Sequence, residues 1–200
     1  MPRLVDHEQR RREITTAARR VIAAGGLEAA TFQSVAAEAG ISVRLIQYYF
    51  GAKRELLLAT HLAVVVDSGE RFAARVGVLG ADAPPREVIE AVSLALLPLD
   101  DASHADALVL AAYHAAALSN SEFIKPEDTH GAPLYLVNLF TEQLRRNRKP
   151  GKAFDTAQLD AQLIVFSLGS ITQGVLIGSH TREQVVELIR HLLDRMLGDC

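Results

Sequence analysis

Apolar positions along this chain recur every three to four residues over nearly its whole length. That is the period of a helix burying one face. In the first stretch Ile14, Ala17, Ala18, Val21 and Ile22 form such a stripe. Gly25-Gly26 predicts its end, because glycine accepts the left-handed conformation of a helix C-terminus. Asp6 with Gln9 three residues on predicts its start. The same period predicts helices over 32–39, 43–49, 52–78, 85–97, 103–118, 134–147, 156–178 and 182–197. Pro85 suits a first helical turn, and Thr181 suits a cap. GADAPP (80–85), the stretch 120–133 with Pro126, Gly131 and Pro133, and NRKPGKA (147–153) read as breaks. No alternating strand run interrupts the pattern. The expected class is all-α, with about nine helices.

Within this pattern, residues 31–57 stand apart. Two short helices meet at a tight turn, and a third begins at once. Thr31 and Ser42 are placed to cap the two short helices. Ala36 and Gly40 give a small residue where helices cross and a glycine where the chain turns. Val35, Ile41, Ile46 and Phe50, with Ile14 and Val21, can form a small core. A helix-turn-helix of this shape presents its second helix to the DNA major groove.

Composition narrows the picture. With 49% apolar and 22% charged residues over 200 positions, the chain can bury a substantial core and is not of disordered type. No apolar run approaches the roughly 20 residues that span a bilayer, and the N-terminus lacks a signal-peptide pattern. Cys200 is the only cysteine, which suits a reducing cytoplasm. A free thiol is the favoured reading there, with a disulfide between two chains left open. Residues 1–55 hold nine Lys/Arg against six Asp/Glu, whereas the remainder holds 12 against 18. A basic head on an acidic body fits a polyanion bound at one end. The seven histidines show no metal-ligand spacing, and neither a phosphate loop nor a nucleophile elbow appears. No cofactor is implied.

The segment VAAEAGIS (35–42), Thr31, the triplet Tyr48-Tyr49-Phe50, Lys53 and Leu56-Leu57 resemble the N-terminal domain of TetR-family transcriptional regulators. The resemblance covers residues 8–58 in detail and only the general helical layout beyond. It implies a helix-turn-helix domain over 1–51 and a ligand-binding and dimerisation domain over 52–200. The DNA-facing positions it implies are Thr31, Gln33, Ser42, Val43, Arg44, Leu45, Gln47, Tyr48, Tyr49 and Lys53. Arg44 can pair with a guanine edge and Gln47 with adenine. A tyrosine hydroxyl and Lys53 suit phosphates. Phe32 departs from the family pattern, where a polar residue is common, and is expected to pack inward. Arg10, Arg11 and Arg12 are candidates for the minor groove or backbone, or simply a solvated face.

The body of the chain offers two further expectations. Apolar stripes wider than one neighbour needs predict a pairing surface at Leu163, Phe166, Ser170, Gln173, Ile177, Val185, Ile189, Leu192, Leu193 and Met196. The resemblance implies an effector pocket, with His104, Leu110, Tyr113, His114, Leu118, Tyr135, Asn138, Phe140, Phe166 and Gln173 as candidate lining. The expected protein is therefore a homodimeric regulator, a repressor, that binds a pseudo-palindromic DNA operator and answers to a small molecule, without a membrane. The alternatives are a general DNA-organising protein without effector and a small helical enzyme.

Overall fold

The computed structural model describes residues 2–80, 82–119, 131–147 and 156–197, with backbone alone at 2–6, 132 and 147. Among them are nine helices and no strand: α1 (Pro2–Ala29), α2 (Phe32–Ala39), α3 (Val43–Phe50), α4 (Lys53–Val76), α5 (Pro85–Leu96), α6 (Asp101–Leu118), α7 (Gly131–Asn147), α8 (Ala157–Leu176) and α9 (Arg182–Leu197). Residues 148–153 of the basic turn expected at 147–153, most of the break at 120–133, and Cys200 lie outside the described residues. Helix α1 starts four residues before the expected cap at Asp6. Gln9 instead donates to Glu13 on its own helix. The break expected at Gly25-Gly26 falls on Gly26, whose φ of 75° takes the chain out of the helical register. Asp100 starts α6 earlier than expected, accepting from the Ser103 amide at 2.8 Å while its own amide donates to the Ser103 hydroxyl.

The contacts gather the chain into two compact units. One holds residues 1–68 and 105–129, the other 69–104 and 130–200. This grouping differs from a division at residue 51. The first four turns of α4 and most of α6 belong with the helix-turn-helix.

In the first unit, Ile14, Ala17, Ala18 and Ile22 of α1 close on Val35, Ala36, Ile46 and Phe50. Leu56, Leu57 and Val64 of α4 and Val109, Tyr113 and Ala117 of α6 complete this core. Each large apolar side chain buried here contributes roughly 1.5–3 kcal/mol. Arg19 of α1 adds a polar tie, pairing with Asp67 of α4 at 2.7 Å and with Asp106 of α6 at 3.5 Å. Asp106 is buried, with 4% exposure, so it needs that cation far more than the surface Asp67 does.

In the second unit, Ile89, Val92 and Leu97 face Phe140 and Leu144 of α7. Ala157, Ala161, Ile164, Leu168 and Val175 of α8, and Val185, Ile189 and Leu193 of α9, fill the rest of that core. Ion pairs from Arg75 to Asp100, Arg182 to Asp101 and Arg190 to Glu90 rim it at 2.6–2.9 Å. Contrary to the sequence expectation, the 20-residue α8 is long and apolar enough to cross a membrane by length and composition, its most apolar 18 residues having a mean hydropathy of 1.3. Its buried side is occupied by the core of this unit.

Candidate nucleic-acid interface

The two short helices are fixed by their own ends. Thr31 accepts from the Ser34 amide at 3.0 Å, and the Ser34 hydroxyl accepts from the Thr31 amide, a reciprocal capping box. Gly40 follows with φ 65°, where any other L residue is strained. Ser42 then accepts from the Leu45 amide and starts α3. Ile46 and Phe50 are drawn inward, so α3 has a defined outer side.

On that outer side Arg44 and Tyr48 lie one turn apart, and both are exposed. Gln47 and Ser42 are exposed beside them, as is Gln33 on α2. Val43, Leu45 and Tyr49 are half-buried at the flanks, with Val43 and Tyr49 against the core. Among the described residues no hydrogen bond or ion pair engages the Arg44 guanidinium. It is free for a donor-to-base-edge contact, the commonest use of arginine in a groove. Tyr48 is 74% exposed, an unusual position for so large a ring. Lys53 begins α4, where free backbone amides favour an anion, and its ammonium lies 3.7 Å from Glu28. Gln33, Ser42, Arg44, Gln47 and Tyr48 are therefore exposed on α2, α3 and the cap of α3, while Thr31 and Lys53 are half-buried at the starts of α2 and α4. Phe32 is half-buried against the core.

The arginine run on α1 separates. Arg10 pairs with Glu13 at 2.6 Å. Arg11 donates to the Tyr49 carbonyl at 2.6 Å and lies 4.4 Å over the Phe50 ring. Its guanidinium braces the end of α3 instead of extending outward. Arg12 remains exposed. A cleft of about 420 Å³ lies beside it, lined by Gln9, Glu13, Thr16, Arg20 and Glu38 among others.

The candidate pocket residues are divided between the two units, with Leu110, Tyr113, His114 and Leu118 in the first and His104, Tyr135, Asn138, Phe140, Phe166 and Gln173 in the second. Tyr113 is wholly buried in the first unit and its hydroxyl donates to the Leu57 carbonyl at 2.5 Å. Its ring sits 4.8 Å from that of His61. It is a core residue there, with its polar end already used. His114, next along α6, is exposed, and partial desolvation lowers its pKa from the ordinary histidine value. His104 and Leu110 are half-buried, and Leu118 is 87% exposed. In the second unit Phe140 is wholly buried core. Asn138 lines a cleft of about 420 Å³ with Tyr135, Leu139, Thr141, Glu142 and Arg145.

Phe166 and Gln173 stand on the outer face of α8 with Leu163, Ser170 and Ile177, and Phe166 is 70% exposed. At 100° per residue these five, with exposed Leu159, fall within a stripe about 80° wide. On α9 the expectation needs correction. Val185, Ile189 and Leu193 are wholly buried within their own chain. They sit at four-residue spacing on the face that α5 and α8 cover. Leu192 and Met196 are half-buried, and Leu188, absent from the sequence expectation, is exposed.

Residues 14–60 match the family model for bacterial regulatory proteins of the tetR family. The HTH-type transcriptional regulator PksA of Bacillus subtilis is 34% identical over 104 residues, 50% of this chain and 48% of that protein. The chain thus spans about half the length of the first of these curated relatives in its match. BetI of Rhizobium meliloti is 27% identical over 177 residues, 88% of this chain and 81% of that one. The fold extends further. A TetR-like transcriptional regulator from Rhodococcus sp. RHA1 matches over 100% of both chains with a TM-score of 0.74 at 21% identity. A regulator from Saccharomonospora viridis in complex with choline covers 95% of this chain and 96% of its own, with a TM-score of 0.73 at 21% identity. FadR of Bacillus subtilis in complex with stearoyl-CoA covers 93% and 97%, with a TM-score of 0.68 at 20% identity. With its capped helix-turn-helix and its exposed recognition face, the chain carries over residues 14–60 a DNA-binding domain of the tetR family.

Proposed function

We propose that this protein is a sequence-specific transcriptional repressor that binds a pseudo-palindromic operator as a homodimer and releases it on binding a small molecule. The observation that carries this reading is the α3 outer face. Arg44, Gln47 and Tyr48 project from a helix pinned by the Ser42 cap, by Ile46 and Phe50 in the core, and by Arg11 at its end. A rigid helix that presents an unengaged Arg44 and an exposed Gln47 to base edges, with Tyr48 beside them for the backbone, is what direct readout requires.

Dimerisation is supported by the outer stripe of α8, whose apolar members nothing in the chain covers among the described residues. Two heads on a two-fold axis read half-sites about 34 Å apart, or a multiple of that spacing. Release follows if the effector prefers a conformation in which the heads are misplaced, and the shift is limited to its difference in affinity between the two states. Proteins of the same fold hold choline in one case and stearoyl-CoA in another. Quaternary ammonium compounds and acyl-CoA thioesters are accordingly the first effectors to offer. Acting on chromosomal DNA, the protein works in the cytoplasm.

The test is a footprint on the DNA beside its own gene, repeated with choline and with stearoyl-CoA. Protection of an inverted repeat supports the reading. Even coverage of any duplex at all salt concentrations would instead indicate a DNA-organising protein.

A further inference from the structure

The exposed Tyr48 ring is not held by the core. It meets the Tyr49 ring edge-on at a centroid distance of 5.3 Å and an interplanar angle of 89°. Tyr49 in turn lies 4.4 Å from the imidazole of His7, which also approaches Tyr48 at 6.4 Å. His7 stands one turn before Arg11 on α1, so the two residues share a side of that helix. Arg11 holds the Tyr49 carbonyl and covers the Phe50 ring, while His7 holds the Tyr49 ring. The end of α3 is gripped at backbone and side chain by two neighbours on α1, ahead of the first core residue at Ile14. Aromatic pairs in tilted and edge-on geometry favour one arrangement over free rotation. The Tyr48 hydroxyl carries no hydrogen bond among the described residues, and its placement therefore depends on this stack.

We propose that His7 is a positioning residue for DNA binding, which through Tyr49 fixes the Tyr48 ring so that its hydroxyl meets a backbone phosphate. The proposal rests on the reading of α3 as the DNA-facing helix. In this role His7 acts by its ring and not by its charge. The contact it sets is a neutral hydroxyl on a phosphate oxygen, which adds affinity without displacing a counterion.

The experiment measures affinity for the footprinted duplex as a function of salt, using the full chain with His7→Ala, His7→Phe, Tyr48→Phe, the double variant His7→Ala/Tyr48→Phe, and Arg44→Ala. His7→Ala and Tyr48→Phe should each weaken binding roughly three- to tenfold, the scale of one hydrogen bond. The double variant should be no weaker than either single one, because both remove the same contact. His7→Phe, which keeps a ring, should bind as the parent does. The slope of affinity against salt should be unchanged in all of them. Additive losses, failure of His7→Phe to bind as the parent, or a slope reduced by about one phosphate in His7→Ala would each overturn the positioning role. Equal melting temperatures of His7→Ala and the parent are expected, and a fall in melting temperature matching the loss of binding would overturn it as well. Arg44→Ala separates the two claims. If it leaves affinity intact, the reading of α3 fails. If it weakens binding while His7→Ala does not, only the His7 proposal fails.

Discussion

The Tyr113 hydroxyl of α6 donates to the Leu57 carbonyl of α4 at 2.5 Å, inside a core that also holds the helix-turn-helix. A carbonyl within a helix already accepts from the amide four residues on, and here it takes a second donor from another helix. Burial pushes the Tyr113 phenol up from its ordinary value, so it remains a donor at any pH the fold withstands. Tyr113→Phe keeps the ring against His61 and removes only the donor. We expect a loss of about 1 kcal/mol in a urea melt. A variant as stable as the parent would show that the bond contributes nothing net.

The Asp100 cap gives acid sensitivity of a defined sign. Bonds from the Ser103 amide and hydroxyl, with Arg75 nearby, hold its carboxyl at about 2, against 3.8 when unfolded. The stabilisation is complete above the unfolded value and fades as the pH falls through about 2. Because Asp100 stands near the surface, its contribution is about 1 kcal/mol, the scale of a helix cap in solvent. Asp100→Ala should therefore melt below the parent at pH 6, and the gap should narrow toward pH 2.5. A gap that does not depend on pH would mean that packing, not the ionised cap, is what the variant loses.

Base reading and phosphate binding should separate in two variants. Arg44→Ala should cost roughly 1–3 kcal/mol on the footprinted duplex and relax preference at one position. Lys53→Ala should weaken binding on every duplex and lower the salt slope by about one. Filter binding on specific and scrambled duplexes at several salt concentrations checks both. Unchanged affinity in both variants would remove these residues from the interface.

The two terminal helices should respond differently to substitution. Phe166→Glu on the outer face of α8 should give a folded monomer by sedimentation, because it charges a surface already exposed in the protomer. Ile189→Ala on the buried face of α9 should cost the protomer about 2–5 kcal/mol by leaving a cavity. A dimer that survives Phe166→Glu would move the pairing surface elsewhere.

What the sequence made legible was local. Thr31, Gly40 and Ser42 act on neighbours within three or four residues, so their roles follow from spacing alone. The stripe of α8 was legible for a similar reason, since one helix period separates its inner from its outer side. On α9, however, Val185, Ile189 and Leu193 alternate with Leu188, Leu192 and Met196, all apolar. Periodicity cannot decide which row the core takes when both rows qualify. Tyr113 in an alanine-rich helix looks the same from sequence whether it lines a cavity or plugs a core. Its partner Leu57 is 56 residues away. Arg11 meets Tyr49 across 38 residues, a separation about which local spacing says nothing.

The interleaving of the two units along the chain bears on how such proteins can be recombined. A graft that transplants residues 1–51 as a ready-made reader would carry Ile46 and Phe50 but leave behind Leu56, Leu57 and Tyr113, which wall the same core. Heads exchanged between relatives at that seam would meet foreign side chains on two helices at once. The smallest portable module is discontinuous, made from the first 68 residues and a later stretch beginning at Ala105. Reader and body in this protein must therefore change in concert, and a chimera that works will be one whose α6 travels with its α3.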